Sequence, residues 1–214
     1  MRHIYFLCLL LLLPLSTEAQ LNYNTGAETV FGGRAGATLS SVSFFPSVEA
    51  TGWLPGVEAG VMFRYCGEKY LAFQMEANFM QRGWHEQDSG YIFSRQFNYL
   101  QLPLLTHLFI GKKSVRWFLN LGPNIGILLS ESSTPVPNEP QAQHTEPVKS
   151  RFDYGIGAGT GIEIHTKRAG IYQLEGRYTI GLGNLFASTV ANSFRRSANR
   201  NFSLTVAVLF PVKK

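Results

Sequence analysis

The sequence is poor in several things that most functions need. Charged residues make up only 15% of its 214 positions. The formal net charge of +5 is spread along the chain, with no Lys/Arg run dense enough to form a nucleic-acid face, so nucleic acid is not expected as a partner. There are two cysteines, Cys8 and Cys66, and Cys8 lies in an N-terminal apolar run, which leaves no pair for an internal disulfide. After residue 20 there is no apolar stretch long enough for a membrane-spanning helix. No G-K-[ST] phosphate loop, H-E-x-x-H or paired C-x-x-C occurs, and His85, His107, His144 and His165 have no metal-ligand spacing. The glycine run Gly155–Gly161 misses G-x-G-x-x-G because Thr160 and Ile162 take the required glycine positions. No cofactor or metal is therefore expected.

The chain does carry an export signature. Arg2 and His3 precede an apolar run, Ile4 to Leu13, that is too short to cross a bilayer, and Thr17-Glu18-Ala19 supplies small residues where a signal peptidase cuts. This predicts a signal peptide over 1–19, an N-terminal periplasmic tail over 20–30, and a single domain over 31–214.

That domain reads as period-two alternation, the signature of strands whose side chains point to opposite faces. Val57, Ala59, Val61, Phe63 and Tyr65 share one face; Leu71, Phe73, Met75, Ala77 and Phe79 do the same, as do Leu100, Leu102, Leu104, Thr106 and Leu108. Further rows run Trp117 to Leu129, Phe152 to Ile164, Tyr172 to Leu182 and Phe202 to Phe210, and a weaker first strand runs from Phe31 to Val42 with Arg34, Gly36, Thr38 and Ser40 on its polar face. The count is eight, each of the roughly ten-residue length that a tilted membrane strand needs. Short connections at Gly67–Lys69, Gly111–Ser114 and Thr166–Ala169 take turns with expected long loops at 43–54, 84–93, 131–150 and 184–199. Outer-membrane barrels sort their connections in this way, with short turns in the periplasm. The fold class expected is all-β: an eight-stranded antiparallel up-and-down transmembrane β-barrel.

The alternating rows can mean two things. In a soluble barrel the apolar row faces inward, as in a lipocalin-like binder. In a membrane barrel the apolar row faces lipid, and small and polar residues fill the lumen. Gly155, Gly157, Gly159 and Gly161 on one face favour the second reading, because glycine weakens an exposed strand but leaves room in a narrow lumen. If strands six and seven pair about Lys167, Gly161 faces Glu175 and Gly159 faces Arg177. The same face carries Glu58, Arg64, Glu76, Arg82, Asp153, Glu163, Glu175 and Arg177, which we read as a polar network of the lumen, since buried charges need partners. A ligand or proton path is the functional alternative, although eight strands leave too little width for an open channel. Phe63, Tyr65, Trp117, Phe152, Tyr154, Tyr172 and Phe202 sit near strand ends, where aromatic girdles meet the two membrane interfaces. His85, Glu86, Asp88 and Ser89 fall together in an expected outer loop and could build a rim site for hydrolysis or acyl transfer.

Several motifs together resemble one family. These are Gly32-Gly33 with Gly36; Tyr99-Leu100-Gln101-Leu102-Pro103-Leu104-Leu105; Leu121-Gly122-Pro123-Asn124-Ile125-Gly126; the glycine strand Asp153–Gly161; and Glu175-Gly176-Arg177-Tyr178 with Gly181-Leu182-Gly183-Asn184. They resemble the PorT-like outer-membrane β-barrel family widespread in Bacteroidota, over nearly the whole exported chain. The resemblance implies a Gram-negative outer membrane, with its lipid and lipopolysaccharide as partners. It also implies possible contact with other membrane or secretion-system proteins, since some members are linked to type IX protein secretion. The expected function is a non-enzymatic barrel of structural or interaction role. The alternatives are an accessory of secretion across the outer membrane and a rim-active lipid or peptide hydrolase or acyltransferase.

Overall fold

The computed structural model describes residues 28–45, 51–88, 91–111, 114–135, 142–145, 147–148, 150–166, 170–186 and 196–212. Eight strands follow in chain order: β1 (Glu28–Phe45), β2 (Thr51–Cys66), β3 (Leu71–Asp88), β4 (Tyr91–Gly111), β5 (Val115–Ser133), β6 (Phe152–His165), β7 (Ile171–Gly181) and β8 (Arg196–Pro211). One helical turn, α1 (Ala142–Thr145), lies between β5 and β6. Each strand pairs antiparallel with its sequence neighbours, and β1 pairs with β8 from Val30↔Pro211 to Phe45↔Arg196, closing the barrel. The expected register of strands six and seven is present, with Gly159 opposite Arg177 and Gly161 opposite Glu175.

The facing decides between the two barrel readings. Leu204 and Val206 are 52% and 60% exposed, whereas Thr205 between them is 2% exposed. The same inversion runs round the wall: Val57, Leu121, Ile156 and Leu174 point out, while Glu58, Asn120, Glu163 and Glu175 are buried. Apolar side chains in period-two rows facing outward, with ionic groups in the centre, describe a barrel solvated by lipid. Phe63, Tyr65, Trp117, Phe152, Tyr154, Tyr172 and Phe202 all lie on this outer wall.

The strands outrun their sequence-based limits. The first begins at Glu28 and ends at Phe45 instead of spanning 31–42, so the expected tail over 20–30 loses its last residues to β1. Residues 1–27, including the signal-peptide segment, lie outside those described. The expected loop at 43–54 shrinks because β2 starts at Thr51, and the one at 84–93 is almost wholly strand, with β3 running to Asp88 and β4 starting at Tyr91. Likewise β5 extends into the expected 131–150 loop as far as Ser133, and β8 takes up the end of the 184–199 loop from Arg196. The lipid-facing alternation is lost in these extensions because they rise past the apolar band. There the inward face carries apolar Phe44, Trp84 and Phe93, while Ser43, His85 and Ser94 lie on the other face, so apolar residues no longer mark the outward row.

One irregularity shows how the ladder is kept satisfied. Between Trp53 and Glu58 the β2–β3 register shifts, so that 54–57 face 81–83. Pro55 lies in this bulge and brings no N–H to the ladder. The polar groups of β3 are served instead from β1, two strands away: Thr38 Oγ1 donates to the Gln81 carbonyl at 2.9 Å, and Ser40 Oγ accepts from the Gly83 N–H at 2.8 Å. Gly56 makes this reach possible, since a Cβ there would lie 2.8 Å from Thr38 Oγ1 and 2.9 Å from the Gln81 oxygen. Thr38→Val should therefore orphan a carbonyl and destabilise the barrel by about 1 kcal/mol, with Ser40→Ala similar. Urea unfolding of the vesicle-reconstituted protein, followed by the gel shift between folded and boiled forms, reads this directly; unchanged midpoints would show that the bulge does not depend on β1.

Candidate functional site: the filled lumen

The lumen holds three stacked regions, each built by inward positions of the strands. At the short-turn end Val30, Met62, Ile171, Ala207 and Leu209 pack together, beside a second group of Ala72, Phe109 and Phe118. At the other end Phe44, Trp84, Phe93, Phe97, Tyr99 and Leu128 form an aromatic plug completed by Leu185 and Phe186 from the β7–β8 connection. Between them lies the ionic region, to which all eight strands contribute.

Its centre joins β1, β2, β3 and β7. Arg34 pairs with Glu76, and lies 3.4 Å from Glu58 and 3.6 Å from Glu175. Arg177 reaches across to Glu76 with two hydrogen bonds, at 2.8 and 2.6 Å, and binds Glu175 at 2.9 Å. Two arginines thus share three carboxylates, amides donate further hydrogen bonds to those carboxylates, and a hydroxyl accepts one from Arg34. Asn78 donates to Glu58 and Glu76, Asn120 donates to Glu175 at 2.9 Å, and Arg34 Nη2 donates to Thr205 Oγ1 at 2.8 Å.

A second cluster sits toward the short turns. Arg64 of β2 pairs across the lumen with Glu163 of β6. Glu163 also meets His165 Nε2 at 3.1 Å, and His107 Nε2 at 3.5 Å. Two glutamines connect the clusters, using an amide that offers donor and acceptor together. Gln74 accepts from Arg64 at 2.8 Å and donates to Glu76 at 2.6 Å; Gln173 accepts from Arg64 at 2.7 Å and donates to Glu175 at 3.3 Å. A third cluster lies toward the aromatic plug, where Arg82 pairs with Asp153 at 3.1 Å over the Tyr99 ring and Asn199 donates to the same carboxylate.

The structure therefore places Glu58, Arg64, Glu76, Arg82, Asp153, Glu163, Glu175 and Arg177 inward and divides them among these three clusters. Sequence reasoning put Arg34 on the polar face of the first strand but did not include it among the network residues, although it is a hub. Its signal was local: Arg34 sits between Gly32 and Gly36 on one inward row, and those glycines let β1 lie close against β8, where a Cβ would meet the Val208 and Leu204 carbonyl oxygens. Gly159 on β6 makes room for a side chain, since a Cβ there would come within 2.3 Å of Glu175 Oε1.

The proposed rim constellation is not assembled. His85 and Glu86 are neighbours on a strand and point to opposite sides: His85 Nδ1 lies 3.0 Å from the Trp53 carbonyl oxygen, while Glu86 is fully buried. Asp88 is the last residue of β3 and Ser89 falls outside the described residues. Glu86 instead accepts from Trp84 Nε1 at 2.8 Å, and His144 Nε2 lies 2.7 Å from its other oxygen. His144, brought in by α1, packs tilted against Phe93 with ring centroids 4.3 Å apart. Nothing local in the sequence links His144 to Glu86, 58 residues apart. Among the described residues no group of three or more His, Cys, Asp or Glu is arranged to hold a metal ion.

The network makes a sharp energetic prediction. Removing one member of a buried pair leaves the other charge uncompensated, whereas replacing both with apolar groups does not. Arg64→Met should cost about 3–5 kcal/mol, and the double variant Arg64→Met/Glu163→Leu should recover part of that loss. A double-mutant cycle on urea midpoints measures it; strict additivity would show that the pair is not coupled.

Comparison with known proteins agrees with this geometry. The family model described as outer membrane protein beta-barrel domain matches residues 19–187. Among solved structures the chain is similar to the outer membrane protein OprG from Pseudomonas aeruginosa, with 12% identity, a TM-score of 0.52 and coverage of 86% of this chain and 96% of that one. It is also similar to Neisserial surface protein A (16% identity, TM-score 0.46, 84% and 97% covered). A third is Ail, the attachment invasion locus protein of Yersinia pestis (12% identity, TM-score 0.43, 86% and 99% covered). At these identities the likeness is one of fold. No curated protein matches the chain. With a barrel closed by eight strands, a lipid-facing apolar wall and a family model spanning well over half its length, the chain belongs to the outer membrane protein β-barrel family and resides in the outer membrane.

Proposed function

We propose that this protein is a sealed, non-enzymatic outer-membrane barrel that acts as a structural element and a binding platform. It would not act as a channel. Its partners are the surrounding lipid and lipopolysaccharide, together with membrane proteins, including those of a secretion apparatus, that meet its loop end or wall. The sequence motifs at Gly32, Tyr99–Leu105 and Leu121–Gly126 support placing it in the PorT-like branch of the family.

One observation carries the reading. The lumen is crossed at mid-height by Arg34, Arg64 and Arg177 locked to Glu58, Glu76, Glu163 and Glu175, all at most 5% exposed. An ion moving through would have to break several charge-assisted hydrogen bonds in a buried interior, each stronger than an ordinary one. Aromatic packing above and apolar packing below add two further barriers.

Planar-bilayer recording of the reconstituted protein tests this. The expected result is no steady conductance above the bare bilayer, in wild type and in Gly159→Ala alike. Reproducible unitary currents from the folded, heat-shiftable protein would replace the platform reading with a channel.

A further inference from the structure

The outer wall carries one feature that a purely hydrocarbon surrounding does not accommodate. On β8 the outward row runs Phe210, Val208, Val206, Leu204, Phe202, Arg200. Among the described side chains of the outward rows, Arg200 is the one arginine or lysine. Across the ladder it faces Ser41 on β1 and Ile180 on β7. It borders a cleft of about 320 Å³ lined by Ser43, Tyr178, Ile180, Ala198 and Arg200.

Depth gives the cleft its meaning. Arg200 lies ten residues from Phe210 along β8 (210 − 200 = 10). At about 3.3 Å per residue and a tilt of about 40°, this is a rise of about 25 Å, the height of the apolar band of such barrels. With Phe210 at the short-turn interface, Arg200 stands at the opposite edge, where hydrocarbon gives way to head groups. Arg200 Nη2 donates to Ser43 Oγ, which holds the guanidinium against the wall. Among the described residues Ser43 is its one hydrogen-bond partner, so its other donors face the surroundings. A guanidinium fork in a poorly hydrated place matches the oxygens of a phosphate, and Tyr178 beside it suits the same boundary.

We propose that this cleft binds the phosphate of an anionic outer-membrane lipid in the loop-side leaflet. Arg200 supplies the charge, Ser43 orients it, and Tyr178 and Ile180 flank the upper acyl chain. The inference gives the lipid partner of the proposed function a place on the barrel, and rests on that reading for its occupant.

The test reconstitutes wild type and Arg200→Gln in phosphatidylcholine vesicles doped with phosphatidylglycerol, then counts lipids retained after mild detergent extraction by native mass spectrometry. The heat-dependent gel shift is the folding control. Wild type should keep phosphatidylglycerol over phosphatidylcholine, and Arg200→Gln should lose about fivefold of that preference, the effect of one basic residue near an anionic surface. Arg200→Lys, which keeps the charge, should retain most of it. Equal retention by wild type and Arg200→Gln, both gel-shiftable, would overturn the proposal while leaving the barrel intact. Loss of the preference in inorganic phosphate of matched ionic strength would overturn it in favour of free phosphate. A wild type that shows no shift at all would instead sink the membrane reading on which the proposal rests.

Discussion

Everything in this molecule follows from the rule that a backbone in hydrocarbon must satisfy its own N–H and C=O groups. A sheet can meet that rule only by closing, because an open edge would leave a row of polar groups against lipid. Here β1 meets β8 over a long register, and no edge remains. Closure at eight strands then imposes a second condition, that the enclosed space is narrow and must be filled by the inward half of every strand. The outer half is free to be apolar. The inner half cannot be only apolar and large, because the circumference does not hold it, so it alternates glycine with long polar side chains that interdigitate across the axis.

Why charged groups should fill that space is a question of specificity more than of stability. A buried ion pair gains little over a well-packed apolar substitute, since two charges must first leave water. What it adds is discrimination. Arg34 on β1, Glu76 on β3 and Arg177 on β7 meet only if the register at each intervening seam is right, and so do Arg64 and Glu163 across the lumen. A slip of one residue at any seam would turn one of these charges toward lipid and leave its partner unpaired inside. Gln74 and Gln173 tighten the condition by tying one cluster to the other. The clusters thus check the same registers from different heights.

That logic explains which parts of the structure were legible in the sequence. Within the membrane band each strand has one lipid face and one lumen face, so period two is strict, and the facing and even the Gly159–Arg177 register could be read directly. Beyond the band the constraint lapses. His85 and Glu86 looked like loop because the outward side of β3 is no longer apolar there, yet the strand goes on and separates them onto opposite faces. Arg34 was visible as a polar residue but not as a hub, because its partners lie on strands that only closure brings near. His144 was hidden for a different reason: its partner Glu86 is reached through a connection whose path no periodicity records.

The division of the lumen also says where function can reside. Most of the inward Arg, Glu and Gln side chains of the ionic region are already engaged with neighbours across the seams. The two ends are not equivalent either. Among the described residues the short-turn end is closed by strand residues, while the plug at the other end borrows Leu185, Phe186 and His144 from connections between strands. Such connections tolerate change better than the registers do. The loop end can therefore change while the registers hold, which is one way a fold comes to host many roles. In this chain the rim and the lipid-facing wall are the surfaces that meet partners. Among the described side chains of that wall's rows Arg200 is the one arginine or lysine, and nothing in the closure of the barrel requires it there.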